Sequence, residues 1–137
     1  MRSVSVLYNN AALRILMLVT ALILTSCSGS GSVAGDPTAA GKELYEQATI
    51  GSAAGCKTCH SLEPGVIIIG PSMAGIGTHA ASVVPGMSAE EYLKQSILDP
   101  NAHVVENFPP SVMPNVFDTQ LTEEQVNQLV AFMLSLE

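Results

Sequence analysis

The chain has 137 residues, enough for one ordinary domain and short for two. Aromatic residues make up only 4% and tryptophan is absent, so a core of aliphatic side chains leaves room for a cofactor with a large apolar face. Twelve acids against five Lys and Arg give a net charge of −7, which argues against nucleic acid and anionic lipid headgroups as partners, and three cysteines are too few for a dense disulfide framework.

The first segment reads as a targeting signal rather than as fold. Arg2 and Arg14 supply positive charge with no acid, and Ile15 to Leu24 is an apolar run broken only by Thr20. That run is shorter than the roughly 20 residues a spanning helix needs and has the form of a secretory signal. It ends in Leu24-Thr25-Ser26-Cys27, which resembles the bacterial lipoprotein box, so residues 1–26 are expected to be removed and Cys27 to become a lipidated N-terminus. An ordinary signal peptide with an incidental Cys27, or a retained membrane helix, are the alternatives. Either anchored form places the rest outside the cytoplasmic membrane and tethered to it. Residues 27–35 then form a lipidated cysteine and an uncharged Ser/Gly-rich leash, with a reach of about 15 Å for eight residues. Without residues 1–26, only Lys42, Lys57 and Lys94 face all twelve acids, a net charge of −9. A basic partner face, or a fixed place inside a complex, suits such a surface.

From Asp36 to residue 137 the sequence reads as one globular domain. Asp36-Pro37-Thr38 is a helix start, and Ala40, Leu44, Tyr45 and Ala48 recur at helical spacing, predicting a helix over 38–49. Gly51 to Gly55 breaks it, and a short helical turn is expected at Cys56. Val66 to Ile69 is a β-branched run expected to be buried extended chain, and Gly75, Gly77 and Pro85 predict loop. Ser88-Ala89-Glu90-Glu91 is a capping box opening a helix over 89–98 that buries Leu93 and Ile97 and stops at Pro100. Pro109, Pro110 and Pro114 forbid a long helix or strand between 101 and 120. A second capping box, Thr122 to Gln125, starts the last helix, whose Val126, Leu129, Val130, Met133 and Leu134 form an apolar stripe. Three or four helices without a strand pattern predict an all-α domain.

Cys56-Lys57-Thr58-Cys59-His60 carries the chemistry. Two thiols three residues apart on one turn can add to the two vinyl groups of one porphyrin, and the adjacent His lies where it can donate to the iron. This C-x-x-C-H pattern is that of c-type haem attachment. A thioredoxin-like dithiol needs a βαβ setting that the sequence lacks, and a zinc site needs a second Cys/His pair that is missing. Lys57 and Thr58 are read as spacers. Met73, Met87, Met113, Met133, His79 and His103 are the candidates for the sixth iron position. Met133 sits on the apolar stripe as core filler, Met87 is unconstrained, and the two histidines are isolated. Met113, between Pro110 and Pro114, is held by a stiff loop and is the expected axial ligand.

Residues 41–45 (GKELY), 55–62 (GCKTCHSL), 70–73 (GPSM), Met113-Pro114 and 121–136 resemble the class I cytochromes c in order and spacing. The resemblance covers about residues 38–137. It implies a small all-α fold with crossed terminal helices, one covalent haem c, and iron ligation by His60 and Met113. It further implies that the Pro71 carbonyl accepts a hydrogen bond from the His60 imidazole, and that Met73 lines the haem edge. Electron transfer, with no catalytic residue and no small-molecule substrate, is the implied activity. The segment from Tyr92 to Val105, with Phe108 to Pro110 and Met113-Pro114, also resembles cytochrome c domains attached to respiratory oxidases and the monohaem lipoprotein subunits of alternative complex III, a quinol:acceptor oxidoreductase. That implies membrane-bound redox subunits as partners. A tethered carrier moving between complexes, a peroxidase-like haem enzyme with an open iron, and a haem-free thiol or metal-binding lipoprotein are the competing readings.

Overall fold

A computed structural model describes residues 35–137. The signal-like segment, Cys27 and most of the leash lie outside the described residues. Helix α1 (Pro37–Tyr45) starts where Asp36 accepts a 3.0 Å bond from the Thr38 amide and Pro37 occupies the first turn, which needs no amide donor. It ends four residues earlier than its periodicity predicts. The chain instead forms a tight hairpin of β1 (Thr49–Ile50) and β2 (Ala53–Ala54). Gly51 turns it at φ 57°, a conformation that glycine adopts without steric cost. The domain is thus mainly helical with one small two-stranded sheet.

The segment expected to be loop after Gly75 holds a short helix, α2 (Ile76–His79), continued by a 3₁₀ turn over Ala80–Ser82. Buried Ile76 and Ala80 anchor this pair in the core. The Gly77 amide donates to the Leu136 carbonyl at 2.9 Å, tying α2 to the C-terminal end of the chain. Helix α3 (Ala89–Leu98) has the expected capping box: the Ser88 hydroxyl accepts from the Glu91 amide, and the Glu91 carboxylate accepts from the Ser88 amide at 2.8 Å. The Ser88 hydroxyl, donating to that carboxylate at 2.7 Å, and then the Ser88 amide hold the Glu91 carboxyl below its ordinary pKa. Tyr92, Leu93 and Ile97 face inward. Between Pro100 and Leu121 the only helix is the four-residue α4 (Phe117–Gln120), in keeping with the prolines. The Gln120 side chain accepts from the Ser52 amide at 3.0 Å and so fastens α4 to the hairpin.

Helix α5 (Glu123–Leu134) begins at the Thr122 capping box and buries Val126, Leu129, Val130 and Met133. Leu134, expected on that stripe, is 37% exposed, and Phe132 is buried instead. The reason is the crossing with α1. A Cβ at Gly41 would strike the Gln128 carbonyl and lie 2.9 Å from the Phe132 Cβ, so α1 comes down onto the Phe132 side of α5. Tyr45 and Phe132 close the crossing with ring centroids 5.4 Å apart, tilted by 57°, a geometry typically worth about 0.5–1.5 kcal/mol beyond burial.

Val66 to Ile69 corrects the sequence expectation most clearly. All four residues are exposed, Ile67 at 64%. The run is held by its own backbone: the Val66 amide donates to Glu63, and the Ile69 and Gly70 amides both donate to the Cys59 carbonyl. One bridge pairs Ile67 with His60, and among the described residues no strand or helix covers the side chains.

Gly41→Ala is expected to lower stability by about 1–3 kcal/mol, because the added methyl overpacks a backbone contact that cannot relax as a side-chain tip can. The midpoint of thermal or denaturant unfolding checks this.

Candidate haem-binding crevice

The chemistry-bearing motif sits on a turn built by its own backbone. Gly55 leaves the hairpin, and its amide returns to the Ala48 carbonyl at 2.9 Å. Residues Cys56–Thr58 then form one 3₁₀ turn, and both the Cys59 and His60 amides donate to the Cys56 carbonyl, at 3.1 and 2.9 Å. Thr58, read from sequence as a spacer, donates its hydroxyl to the Gly55 carbonyl and so locks the turn. The two cysteine side chains are not joined to each other.

His60 is held from two sides. Its Nδ1 lies 2.8 Å from the Pro71 carbonyl oxygen, so the ring donates there and the tautomer leaves Nε2 free to bind a metal. A Cβ on Gly70 would strike the imidazole at Cε1 and sit 2.9 Å from Nδ1, so the ring packs directly on a backbone position that only glycine leaves open. Burial lowers the His60 pKa and the Pro71 carbonyl opposes this, keeping the imidazole neutral at neutral pH, the form that ligates iron. On the backbone side, the buried Tyr45 donates its hydroxyl to the His60 carbonyl at 2.8 Å. Burial, with Cys56 close by, pushes the Tyr45 hydroxyl up to about 12, and burial pushes the Cys56 thiol up to about 11. The Tyr45 hydroxyl therefore stays protonated at neutral pH, as does the Cys56 thiol before haem attachment.

The proline-rich loop lines the same site. Asn101 clamps its two ends: the carboxamide oxygen accepts from the Ser111 amide at 2.8 Å. Ser111 is left-handed at φ 62°, a conformation disfavoured for a residue with a Cβ and here held by that bond. Met113 follows at once, between Val112 and Pro114, and packs against the core.

Cys56, Cys59, His60, Pro71, Met73, Met113 and Met133 all line one crevice, together with Tyr92, Leu93, Ile97, Phe117 and Leu129 from the core. It holds a cavity of about 170 Å³ with an open mouth, well beyond the room that a single water needs. Among the sixth-position candidates, His79 is exposed outside the crevice and Met87 faces a separate surface groove. His103 lines the crevice, with its ring edge-on to Tyr92 at 5.8 Å. Sequence reasoning missed Tyr45, Gly70 and Asn101 as shaping residues. All three stand in segments that carry the family resemblance, yet neither spacing nor composition there signals the contacts they make.

An apolar slot lined by the Cys56 and Cys59 sulfurs, a neutral imidazole and the Met113 thioether fits a covalently attached iron porphyrin. Comparison with known proteins agrees: the family profile described as Cytochrome c matches residues 38–137. The chain belongs to the cytochrome c family; its cofactor is covalently bound haem c, and its role is haem-based electron transfer. No curated protein matches the chain significantly.

Gly70→Ala is expected to push the imidazole off the Pro71 carbonyl. Covalent haem content is expected to stay near that of the parent, while the reduction potential and the iron-ligand absorption shift. Unchanged spectra and potential contradict the packing of His60 on Gly70.

Proposed function

We propose that the chain carries one haem c at Cys56 and Cys59, with His60 and Met113 as axial ligands, and passes single electrons at the outer face of the membrane. The observation that carries this reading is that Cys56, Cys59, His60 and Met113 line one apolar crevice. When bound, the haem supplies a one-electron iron couple. The chain does the rest. Thioethers from Cys56 and Cys59 fix the porphyrin against the motif turn. Pro71 and Gly70 hold the His60 ring at fixed rotation, and the hydrogen bond to Pro71 raises its donor strength. Prolines and the Asn101 clamp hold Met113 at fixed range, so neither ligand needs to move when the charge changes. With His60 and Met113 both holding the iron, no site would stay open for oxygen or peroxide, and the apolar lining would keep water away. Methionine ligation raises the potential relative to a bis-histidine centre.

The finer role is that of a lipid-anchored subunit of a membrane quinol:acceptor oxidoreductase of the alternative complex III kind, outside the cytoplasmic membrane. The likeness of residues 92–114 to complex-associated domains supports it, as does the lipoprotein-like Leu24 to Cys27. No helix among the described residues is long and apolar enough to cross a membrane, so in this reading the anchor is Cys27.

Two measurements check these assignments. Met113→Ala is expected to abolish the methionine-to-iron band at the red edge of the oxidised spectrum. The potential should fall by a sizeable part of the roughly 0.8 V that axial ligands command. Retention of that band would move the ligand to another methionine. Mass analysis of the native chain is expected to find an acylated Cys27 as its first residue; an unmodified Cys27, or a chain that keeps residues 1–26, contradicts the anchor.

A further inference from the structure

At the base of the proline-rich loop a single oxygen gathers two donors. The Asn101 carboxamide accepts from the Ser111 amide at 2.8 Å and from the Ser111 hydroxyl at 3.4 Å. At the loop tip the Phe108 amide donates to the Val105 carbonyl, beside a left-handed Asn107 at φ 69°. Among the described residues no other hydrogen bond joins residues 100–104 to residues 109–114, and Val112 and Met113 form none. Pro109, Pro110 and Pro114 fix their own φ but tie the loop to nothing. The Met113 backbone is therefore held between two points, Ser111 before it and Phe117, buried at the start of α4, after it. Asn101 stands just past the end of α3, whose Leu93 and Ile97 are buried, so the fixed side of the clamp is the core. Ser111 is the weaker point. Its left-handed backbone suits glycine or asparagine and disfavours serine, so the conformation lasts only while its donors meet the Asn101 oxygen. Both partners are exposed, so opening the clamp leaves no buried group unpaired and the core intact.

We propose that Asn101 is a positioning residue for the distal ligand, and that its one acceptor oxygen decides whether the oxidised iron keeps Met113. The assignment rests on the His60 and Met113 reading above and adds a side chain outside the ligand set. A thioether favours reduced iron. The oxidised form therefore relies on the loop to keep the sulfur in range, and the reduced form relies on it less. With the clamp open, Ser111 is free to leave the left-handed region, and a turn there swings the residues that follow, Val112 and Met113. The oxidised centre then exchanges its methionine for another ligand. That exchange stabilises the oxidised state relative to the reduced one, so the potential falls. One surface carboxamide thus separates a closed electron carrier from an iron open to added ligands. The prolines stiffen the loop in either case and do not make that choice.

The full-length haem-bearing chain tests this, as Asn101→Ala and Asn101→Asp variants beside the parent. Imidazole added to the oxidised protein is the probe of an opened iron. The methionine-to-iron band and the reduction potential are read on the same samples. Asn101→Ala is expected to weaken that band, to bind imidazole at least about tenfold more tightly than the parent and to have a lower potential. Its covalent haem content and the spectrum of its reduced form are expected to match the parent. Asn101→Asp, which keeps an acceptor oxygen at the same place, is expected to show the parent's band and imidazole affinity. A band lost without tighter imidazole binding still supports the assignment, because another side chain of the crevice, such as His103, then occupies the iron. Asn101→Ala with the parent's band and affinity overturns it, whatever the thermal midpoint, since the bond is then structural only. Equal losses in the Ala and Asp variants overturn it too, by removing the acceptor oxygen as the cause. Hydrogen exchange of the Ser111 amide in the oxidised parent needs no variant: protection supports the clamp, and exchange as fast as an unbonded amide overturns it. A parent that lacks the methionine band would instead defeat the Met113 reading, and the clamp with it.

Discussion

The close approach of α1 to α5 at Gly41 is the contact on which the rest of the domain depends. Backbone meets backbone there, because the Gly41 Cα faces the Gln128 carbonyl with no side chain between. That approach turns Phe132 inward, brings Tyr45 against it, and aims the Tyr45 hydroxyl at the carbonyl of His60. Leu129 and Met133, on the same helix, become the floor of the crevice. Helix packing and metal-site geometry are therefore one problem in this chain. A shift of α1 along α5 would move the imidazole with it.

Around that scaffold, short irregular segments do the fine positioning. Cys59 illustrates the economy: its carbonyl accepts from both Ile69 and Gly70, and this folds the chain back so that Gly70 and Pro71 reach the His60 ring. Beyond Pro71, the Met73 amide donates to the Ser61 carbonyl at 2.8 Å, which carries the same return path to the crevice edge. The other wall uses prolines and one asparagine side chain where a helix cannot run. A redox centre benefits from such rigid walls, since small movement on electron gain or loss keeps the reorganisation small. The cofactor in turn fills the space that a core with 4% aromatic residues leaves open.

Much of this was legible in the sequence because the signals were local. Both capping boxes, the two helices they open and the prolines that empty residues 101–116 of helix depend on neighbours within a few positions, and each formed where expected. The Cys56 to His60 motif is equally local, and it pointed to the haem c that the family match supports. What escaped was set by distant contacts. The early end of α1, the exposure of Leu134 in place of Phe132, and the roles of Tyr45 and Asn101 follow from pairings across the chain that periodicity does not encode. Val66 to Ile69 failed for a related reason: β-branched composition fits a pleated, half-buried surface, yet a strand needs partners, and here the local amide bonds leave none for the side chains. The helix at Ile76–His79 escaped because two glycines within four residues mask a turn that the core, through Ile76 and Ala80, imposes.

The central claim is that Cys56 and Cys59 together hold one haem by two thioether bonds. The alkaline pyridine spectrum of the denatured, reduced native chain tests it most directly, because the band position reports how many vinyl groups have been consumed. The account predicts the signature of a porphyrin with both vinyls saturated, at one haem per chain, persisting after acid–acetone extraction. A signature with one or two intact vinyls, haem removed by the extraction, or a chain bearing no haem would contradict it.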